Sequence, residues 1–297
     1  MVLLNKTIKI GDKIIGKEHP CFIIGEIGIN HNGSIEIAKK LIEIAKNAGC
    51  DAVKFQKRTV NEVYTKEELA LPRASVFGET NGDLKYGLEF QEEEYRIIDN
   101  YCKERDIIWF ASCWDKKSVD FMEKFDIPCY KIASALLTDL ELLKYIKSKN
   151  KPILLSTGMS TLEQIDKAVE ILDTEDLILY HCTSTYPTDS EEINLKVIPN
   201  LESRYNTLVG YSGHERGIMP SVLACACGAI SIERHITTDR TLWGSDQAAS
   251  LEPTGLQKLV RDIRQVPVVL GDGKKIVYEN EYPIIKKLRK EKIINAY

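Results

Sequence analysis

The sequence has no apolar run approaching the roughly 20 residues that a membrane-spanning helix needs. Its first residues, MVLLNKTIKIGDKIIG, hold too short an apolar core for a secretory signal. Both absences lead to the expectation of a soluble, cytoplasmic protein. An excess of one charge is missing too: 40 Lys and Arg stand against 44 Asp and Glu, a formal net charge of -4, with the two signs mixed along the chain. A nucleic-acid-binding surface needs a basic stripe, so that class is excluded. No Gly-x-Gly-x-x-Gly turn follows the first apolar segment, which argues against an open dinucleotide-binding sheet. Zinc-knuckle spacing is absent as well. Among the eight cysteines the only close pair, Cys225-Ala-Cys227, lacks the two-residue gap. The cysteines fall mostly in apolar runs and are expected to be reduced core residues.

What the sequence does have is alternation. After a hairpin expected over Thr7 to Gly16, turning at Gly11-Asp12, eight short β-rich runs alternate with longer segments of helical period. The runs are CFIIGEIGIN (21–30), DAVKFQ (51–56), IIWFAS (107–112), CYKIAS (129–134), PILLSTG (152–158), LILYHCT (177–183), TLVGYSG (207–213) and AISIERHI (229–236). Stretches such as IEIAKKLIEIAKNAG (35–49) and LEQIDKAVEILD (162–173) are long enough to cross a sheet and return parallel. Eight such units in 297 residues predict an α/β fold, a (β/α)8 TIM barrel, with three parts. These are an N-terminal hairpin extension over 1–20, the barrel over 21–280 and a charged C-terminal tail over 281–297. One connection, from about Arg58 to Gly87, is too long for an ordinary βα loop and is expected to cover the barrel mouth.

Active sites of such barrels lie at the C-terminal ends of the strands, and polar residues collect there. In chain order these are Glu26 with Asn30-His31-Asn32-Gly33, Lys54 and Gln56, Ser112 and Trp114, Lys131 and Ser134, Ser156 and Gly158, Ser184 and Tyr186, Ser212 and His214, and Glu233 and His235. Lys54 and Lys131 interrupt apolar strands, where an ammonium is costly unless an anion meets it. The anion is either a barrel carboxylate such as Glu26 or Glu233, or a ligand. His214 and His235 end the last two strands and are placed to share a divalent metal, or to serve as neutral hydrogen-bonding groups. Glu233, two residues before His235, falls on the same strand face, as a third ligand or an acid-base group. His214-Glu215-Arg216-Gly217 is not a zinc-protease motif, because no second histidine follows at helical spacing.

Taken together, Glu26-Ile-Gly-Ile-Asn30-His31, Val53-Lys54-Phe55-Gln56, Tyr130-Lys131-Ile-Ala-Ser134, Leu155-Ser156-Thr-Gly158-Met, His181-Cys-Thr-Ser184-Thr-Tyr186-Pro, Ser212-Gly-His214 and Ile232-Glu233-Arg234-His235 resemble the N-acetylneuraminate (sialic acid) synthase family over about residues 7 to 280. The resemblance implies a synthase that joins phosphoenolpyruvate to an aldose, giving a 3-deoxy-2-ulosonic acid and phosphate. It implies a divalent metal, usually manganese, on His214 and His235. It implies phosphoenolpyruvate at Lys54, Ser112, Lys131, Ser134, Ser156, Gly158, Ser184 and Ser212, sugar at Gln56, Tyr186 and Asp246, and Glu26 and Glu233 at the reacting centre. It also implies a homo-oligomer whose partners are small-molecule substrates, with no nucleic acid or membrane.

Three departures bear on the acceptor. Family members often carry a small C-terminal antifreeze-like domain that supplies an arginine to the sugar's N-acyl group, and the expectation here is a barrel without it. Ser134-Ala135-Leu136 stands where the family usually has a carboxylate, and Ser184 where asparagine is common. Arg73, Arg216 and Arg234 are candidates to read a phosphorylated acceptor bidentately. The alternatives are therefore a synthase of another, Kdo-like ulosonic acid from a sugar phosphate, and a barrel that binds phosphoenolpyruvate or sugar without turnover.

Overall fold

A computed structural model describes residues 6–289. Strands β1 (Ile8–Ile10) and β2 (Lys13–Ile15) form the expected antiparallel hairpin. Its turn needs glycine: Gly11 has φ +61, and a Cβ there would lie 3.0 Å from Ile108 Cδ1. Ile8, Ile10 and Ile15 are buried. The hairpin touches the lower ends of the barrel strands, with Gly11 against Ile108 and Pro128 and Lys6 bonded to Thr174 O and Thr207 Oγ1. It plugs the barrel floor.

Eight parallel strands then close on themselves: β3 (Phe22–Gly28), β4 (Ala52–Lys57), β7 (Ile108–Cys113), β8 (Tyr130–Ile132), β9 (Ile153–Ser156), β10 (Leu177–His181), β11 (Leu208–Gly213) and β12 (Ser231–His235), with β12 pairing back to β3. Each predicted run matches one of them, β4 and β7 extending one residue past theirs, to Lys57 and Cys113. The helices obey the same logic. In Ile35–Ala48 the buried residues Ala38, Leu41, Ile42, Ala45 and Ala48 recur at helical spacing. Ser34 caps the start, and Gly49 ends the helix at φ 89. Each fully buried Leu or Ile on such a face contributes roughly 1.5–3 kcal/mol. Helix Pro253–Leu270 packs between Ile35–Ala48 and Met219–Ala226 and closes the outer ring.

The long connection after β4 is folded rather than loose. It holds helices Val60–Val63, Lys66–Ala70 and Asn81–Leu88 around a small hairpin, β5 (Pro72–Ser75) and β6 (Gly78–Thr80). Capping boxes Thr65/Glu68 and Thr80/Asp83 start two of the helices. Phe77 at the hairpin tip meets Trp243, in the loop after β12, edge to face at 5.7 Å. The excursion thus leans over the rim on the β3 and β12 side. In the tail, Tyr282–Leu288 forms a short helix, and residues 290–297 lie outside the described ones. The cysteines are all unpaired, and five are buried. Cys227 is exposed, so the expectation of core burial fails there, on the turn that follows helix Met219–Ala226.

Candidate active site

Register explains how scattered residues converge. Glu26 of β3 is paired with Lys54 of β4 and with His235 of β12, Gln56 with Ser112 of β7, and Ser112 with Lys131 of β8. Tyr180 pairs with Ser156 on one side and Gly210 on the other. Side chains alternate along each strand, so these residues share the inner face. Tyr180 forms the floor of the site. Its hydroxyl donates to Ser231 Oγ at 2.6 Å, and a Cβ at Gly210 would come within 2.7 Å of its ring, which explains the glycine there.

Above that floor is a cavity of about 290 Å³ lined by Glu26, Lys54, Gln56, Ser112, Trp114, Lys131, Ser134, Ser156, Ser184, Tyr186, Ser212, His214, Glu233 and His235, together with Ala133, Ala135 and Met159. A larger, more apolar cavity of 670 Å³ adjoins it through Met159 and Ser184 but has no lysine or carboxylate in its wall. The smaller one carries the chemistry. Gly158 sits between the two cavities, its N–H donating to Ser134 Oγ at 3.1 Å.

Four buried charges occupy the centre. Lys54 Nζ lies 2.9 Å from Glu26 and 3.8 Å from Glu233, and Lys131 Nζ lies 3.7 Å from Glu233. Lys131 also donates to Ser156 Oγ, and Ser212 Oγ donates to Glu233 at 3.1 Å. Each lysine therefore has a carboxylate, but the two carboxylates differ. Burial, with Glu233 nearby, pushes the Glu26 carboxyl up to about 7 against the pull of Lys54. Burial also works to raise Glu233, but Lys131, Lys54 and His235 outweigh it and bring that group to about 2. Lys54 is held above its ordinary value because Glu233 and Glu26 overcome burial, whereas burial lowers Lys131. Once Glu26 takes up a proton, two ammonium groups face one carboxylate. In either state of Glu26 both ammonium groups line the cavity together with a ring of hydroxyls, which suits an anionic ligand.

The two histidines meet at the rim. Their ring centroids are 5.5 Å apart, and Tyr186 lies over His214 at 4.1 Å. His214 Nδ1 is 2.7 Å from Thr183 O and so carries the proton, leaving Nε2 with its lone pair. His235 Nδ1 is buried without a hydrogen-bond partner, 3.6 Å from Asp246 Oδ2. Burial, then His235, lowers His214 to about 4, and burial lowers His235, so both imidazoles are neutral near pH 7. Neutral, preoriented nitrogens with an orphaned buried atom fit a metal held by two imidazoles. Among the described residues no group of three or more His, Cys, Asp or Glu side chains is arranged to hold an ion. Glu233 turns Oε1 to the lysines and Ser212, while its Oε2 is buried without a hydrogen-bond partner.

The arginines separate from the site. Arg73 is exposed and lines a different cavity with Trp243 and Ser245, where its guanidinium donates to Asn81 at 3.3 Å. Arg234 points outward from β12 onto Glu215 at 2.8 Å, and Arg216 is exposed beside it. Leu136 packs against the core, while Ala135 borders the cavity. Asn30 stitches the β3 loop to β12 through Ile236 O and Ser250, and buried His31 stacks on Phe90 at 4.0 Å. One residue escaped the sequence reading. Arg58 donates to Gln56 Oε1 at 2.5 Å and stacks on Trp114 at 4.1 Å, while Arg58 Nε and Trp114 Nε1 are buried without partners. The signal was available, since Lys54, Gln56 and Arg58 continue the inward period of β4.

Comparison with known proteins agrees with this geometry. A profile of the NeuB family matches residues 41–275. The chain belongs to the NeuB family. Human N-acetylneuraminate-9-phosphate synthase is 38% identical over 93% of this chain and 78% of its own length. N,N'-diacetyllegionaminic acid synthase of Legionella pneumophila is 35% identical over 94% of this chain and 81% of its own. Among solved structures, the N-acetylneuraminic acid synthetase of Leptospira borgpetersenii serovar Hardjo-bovis in complex with citrate superposes with a TM-score of 0.83 at 31% identity, covering 96% of this chain and 98% of that one. This NeuB-family barrel thus has relatives that differ in the acid they are named for.

Proposed function

We propose that the protein condenses phosphoenolpyruvate with an aldose to give a 3-deoxy-2-ulosonic acid of the sialic-acid type, releasing inorganic phosphate. The observation that supports it most is the buried Lys54, Lys131, Glu26 and Glu233 cluster, which sets two ammonium groups beside Ser112, Ser134, Ser156, Ser184 and Ser212. In this reading Lys54, Lys131 and the hydroxyls hold the carboxylate and phosphate of the enol. Gln56, Tyr186 and Asp246 face the sugar.

The bonds then follow. C3 of phosphoenolpyruvate joins the aldehyde carbon, leaving an alkoxide and a cationic C2 that Glu233, kept ionised by the lysines, stabilises. Water adds to C2, Glu26 takes its proton and passes it to the alkoxide. The tetrahedral adduct breaks its C2–O bond to phosphate as the C2 hydroxyl becomes the ketone, its proton passing to the departing phosphate. His214 and His235 would hold a divalent metal, manganese by the resemblance, and such an ion supplies Lewis-acid polarisation of a carbonyl oxygen. A cytoplasmic location, in keeping with unpaired cysteines, and a homo-oligomeric state belong to the same reading. Among the described residues no helix is long and apolar enough to cross a membrane.

The test is phosphate release from phosphoenolpyruvate with manganese across N-acetylmannosamine, its 6-phosphate, mannose and arabinose 5-phosphate. Release that requires one of them, and stops with EDTA, supports the reading and identifies the acceptor. Binding of phosphoenolpyruvate with no release for any aldose would favour the non-catalytic barrel.

Two further outcomes are expected. Because Glu26 must start as the carboxylate and its group lies at about 7, kcat/KM should rise with pH through that region and level above it. A limb confined below pH 5 would assign the base elsewhere. In the second, a Cβ at position 158 would collide with Ser184 Oγ and come within 2.9 Å of Ser134 Oγ. Gly158→Ala should therefore displace two ligand hydroxyls and raise KM for phosphoenolpyruvate about tenfold or more. An unchanged KM would remove those serines from the binding site.

A further inference from the structure

β12 has two working faces. Glu233 and His235 point into the barrel, and Arg234 between them points out, into a separate cavity of about 280 Å³ that shares no wall residue with the active-site cavity. Four cations line this outer cavity, Arg216, Arg234, Arg240 and Lys258, against two carboxylates, Glu215 and Glu252. Among the described residues only Arg234 has its charge on a carboxylate, Glu215 at 2.8 Å. Arg216, Arg240 and Lys258 are exposed around the opening. An imbalance of this kind, gathered about a concave space, is an electrostatic trap for an anion.

Two independent features place donors beside the same space. Arg234 is 1% exposed, and its Nε has no hydrogen-bond partner although both terminal nitrogens are engaged, on Glu215, Ser221 and the Gly217 carbonyl. The 18-residue helix Pro253–Leu270 also begins at this cavity, with Thr254 and Gly255 in its wall. First-turn amides have no intrahelical acceptor. No side chain caps them, since Glu252, at the N-cap, accepts from the Arg240 amide at 3.2 Å instead. Free amides at a positive helix end, an orphaned buried guanidinium nitrogen and three unpaired cations are the donor set of a phosphate-binding site.

We infer that this cavity is a second binding site, on the outer face of β12, for a dianionic phosphate group. The inference stands apart from the proposed reaction and uses no turnover. Its test is phosphorus NMR titration of the full chain with inorganic phosphate, and separately with glycerol 3-phosphate, at constant ionic strength. The variant R216A/R240A/K258A changes only exposed residues and leaves the barrel cavity intact. Wild type should show a phosphate site that the variant loses, its dissociation constant rising about tenfold or more whether or not the barrel cavity also binds phosphate. A tighter monoester assigns the organic part to the rest of the cavity, and equal affinities assign inorganic phosphate itself. Identical binding by wild type and variant overturns the inference. So does an anomalous map of tungstate-soaked crystals with density in the barrel and none against the Thr254 and Gly255 amides.

Discussion

Replacing Lys131 by methionine is expected to lower kcat/KM for phosphoenolpyruvate about 10²–10³-fold without lowering the melting temperature. The two halves of this outcome have one cause. Lys131 is fully buried and burial lowers its pKa, so its charged form is held in the fold at a cost. A base whose folded pKa is depressed destabilises the folded state at pH values below it, and an apolar isostere removes that term. Glu233 is not orphaned by the change, because it keeps Lys54 at 3.8 Å and the Ser212 hydroxyl at 3.1 Å. The ammonium is thus poorly explained as a stabilising element and well explained as a ligand-binding one. Steady-state kinetics with calorimetry on the same preparation decides. A melting temperature that falls sharply would make Lys131 a structural ion-pair partner, and retained activity would remove it from the site.

The second large effect is expected on the other side of β12. Arg234→Met should destabilise the fold by about 3–5 kcal/mol, because it leaves the buried Glu215 carboxylate without its cation. At roughly 2–4 °C per kcal/mol for a chain of this order, the melting temperature should drop by about 10 °C. Arg234 differs from Lys131 in what it touches. Its two terminal nitrogens end on Glu215, Ser221 and two carbonyls, which ties the segment after His214 to β12. A double-mutant cycle with Glu215→Gln isolates the pair, since the double variant no longer buries an uncompensated charge and should recover part of the loss. Strict additivity of the two changes would show that the pair is not coupled.

The barrel was legible because its signal is repetitive. Eight apolar runs at similar spacing leave few other topologies, and a slip of a residue or two at a strand end does not change the count. The site was legible for a related reason, since closure of the barrel makes strand ends converge wherever they stand in the sequence. Connections were harder. Arg58 opens the excursion by sequence yet extends the inward period of β4, and Arg73 is a ligand candidate on residue type alone. The Arg234 error is instructive because period two already assigns it to the face opposite Glu233 and His235, and chemical suitability overrode that rule. Ion pairing within the site was legible only as one of two alternatives, a barrel carboxylate such as Glu26 or Glu233 or a ligand. Whether a buried lysine meets a carboxylate or a ligand depends on distances across the barrel, and here both lysines meet carboxylates whose protonation differs.

The hairpin on the barrel floor also bears on the timing of the reaction. With Ile8, Ile10 and Ile15 closing the lower end and side chains filling the interior, substrates and products share a single doorway at the top. A molecule seated on Lys131 above Tyr180 lies deeper than one at the Tyr186 rim, and the outer guest bars the exit of the inner. On the proposed reaction, traffic through such a dead end would be ordered: the enol phosphate would enter before the sugar, and the sugar-derived acid would have to clear the rim before phosphate from the deep position could follow.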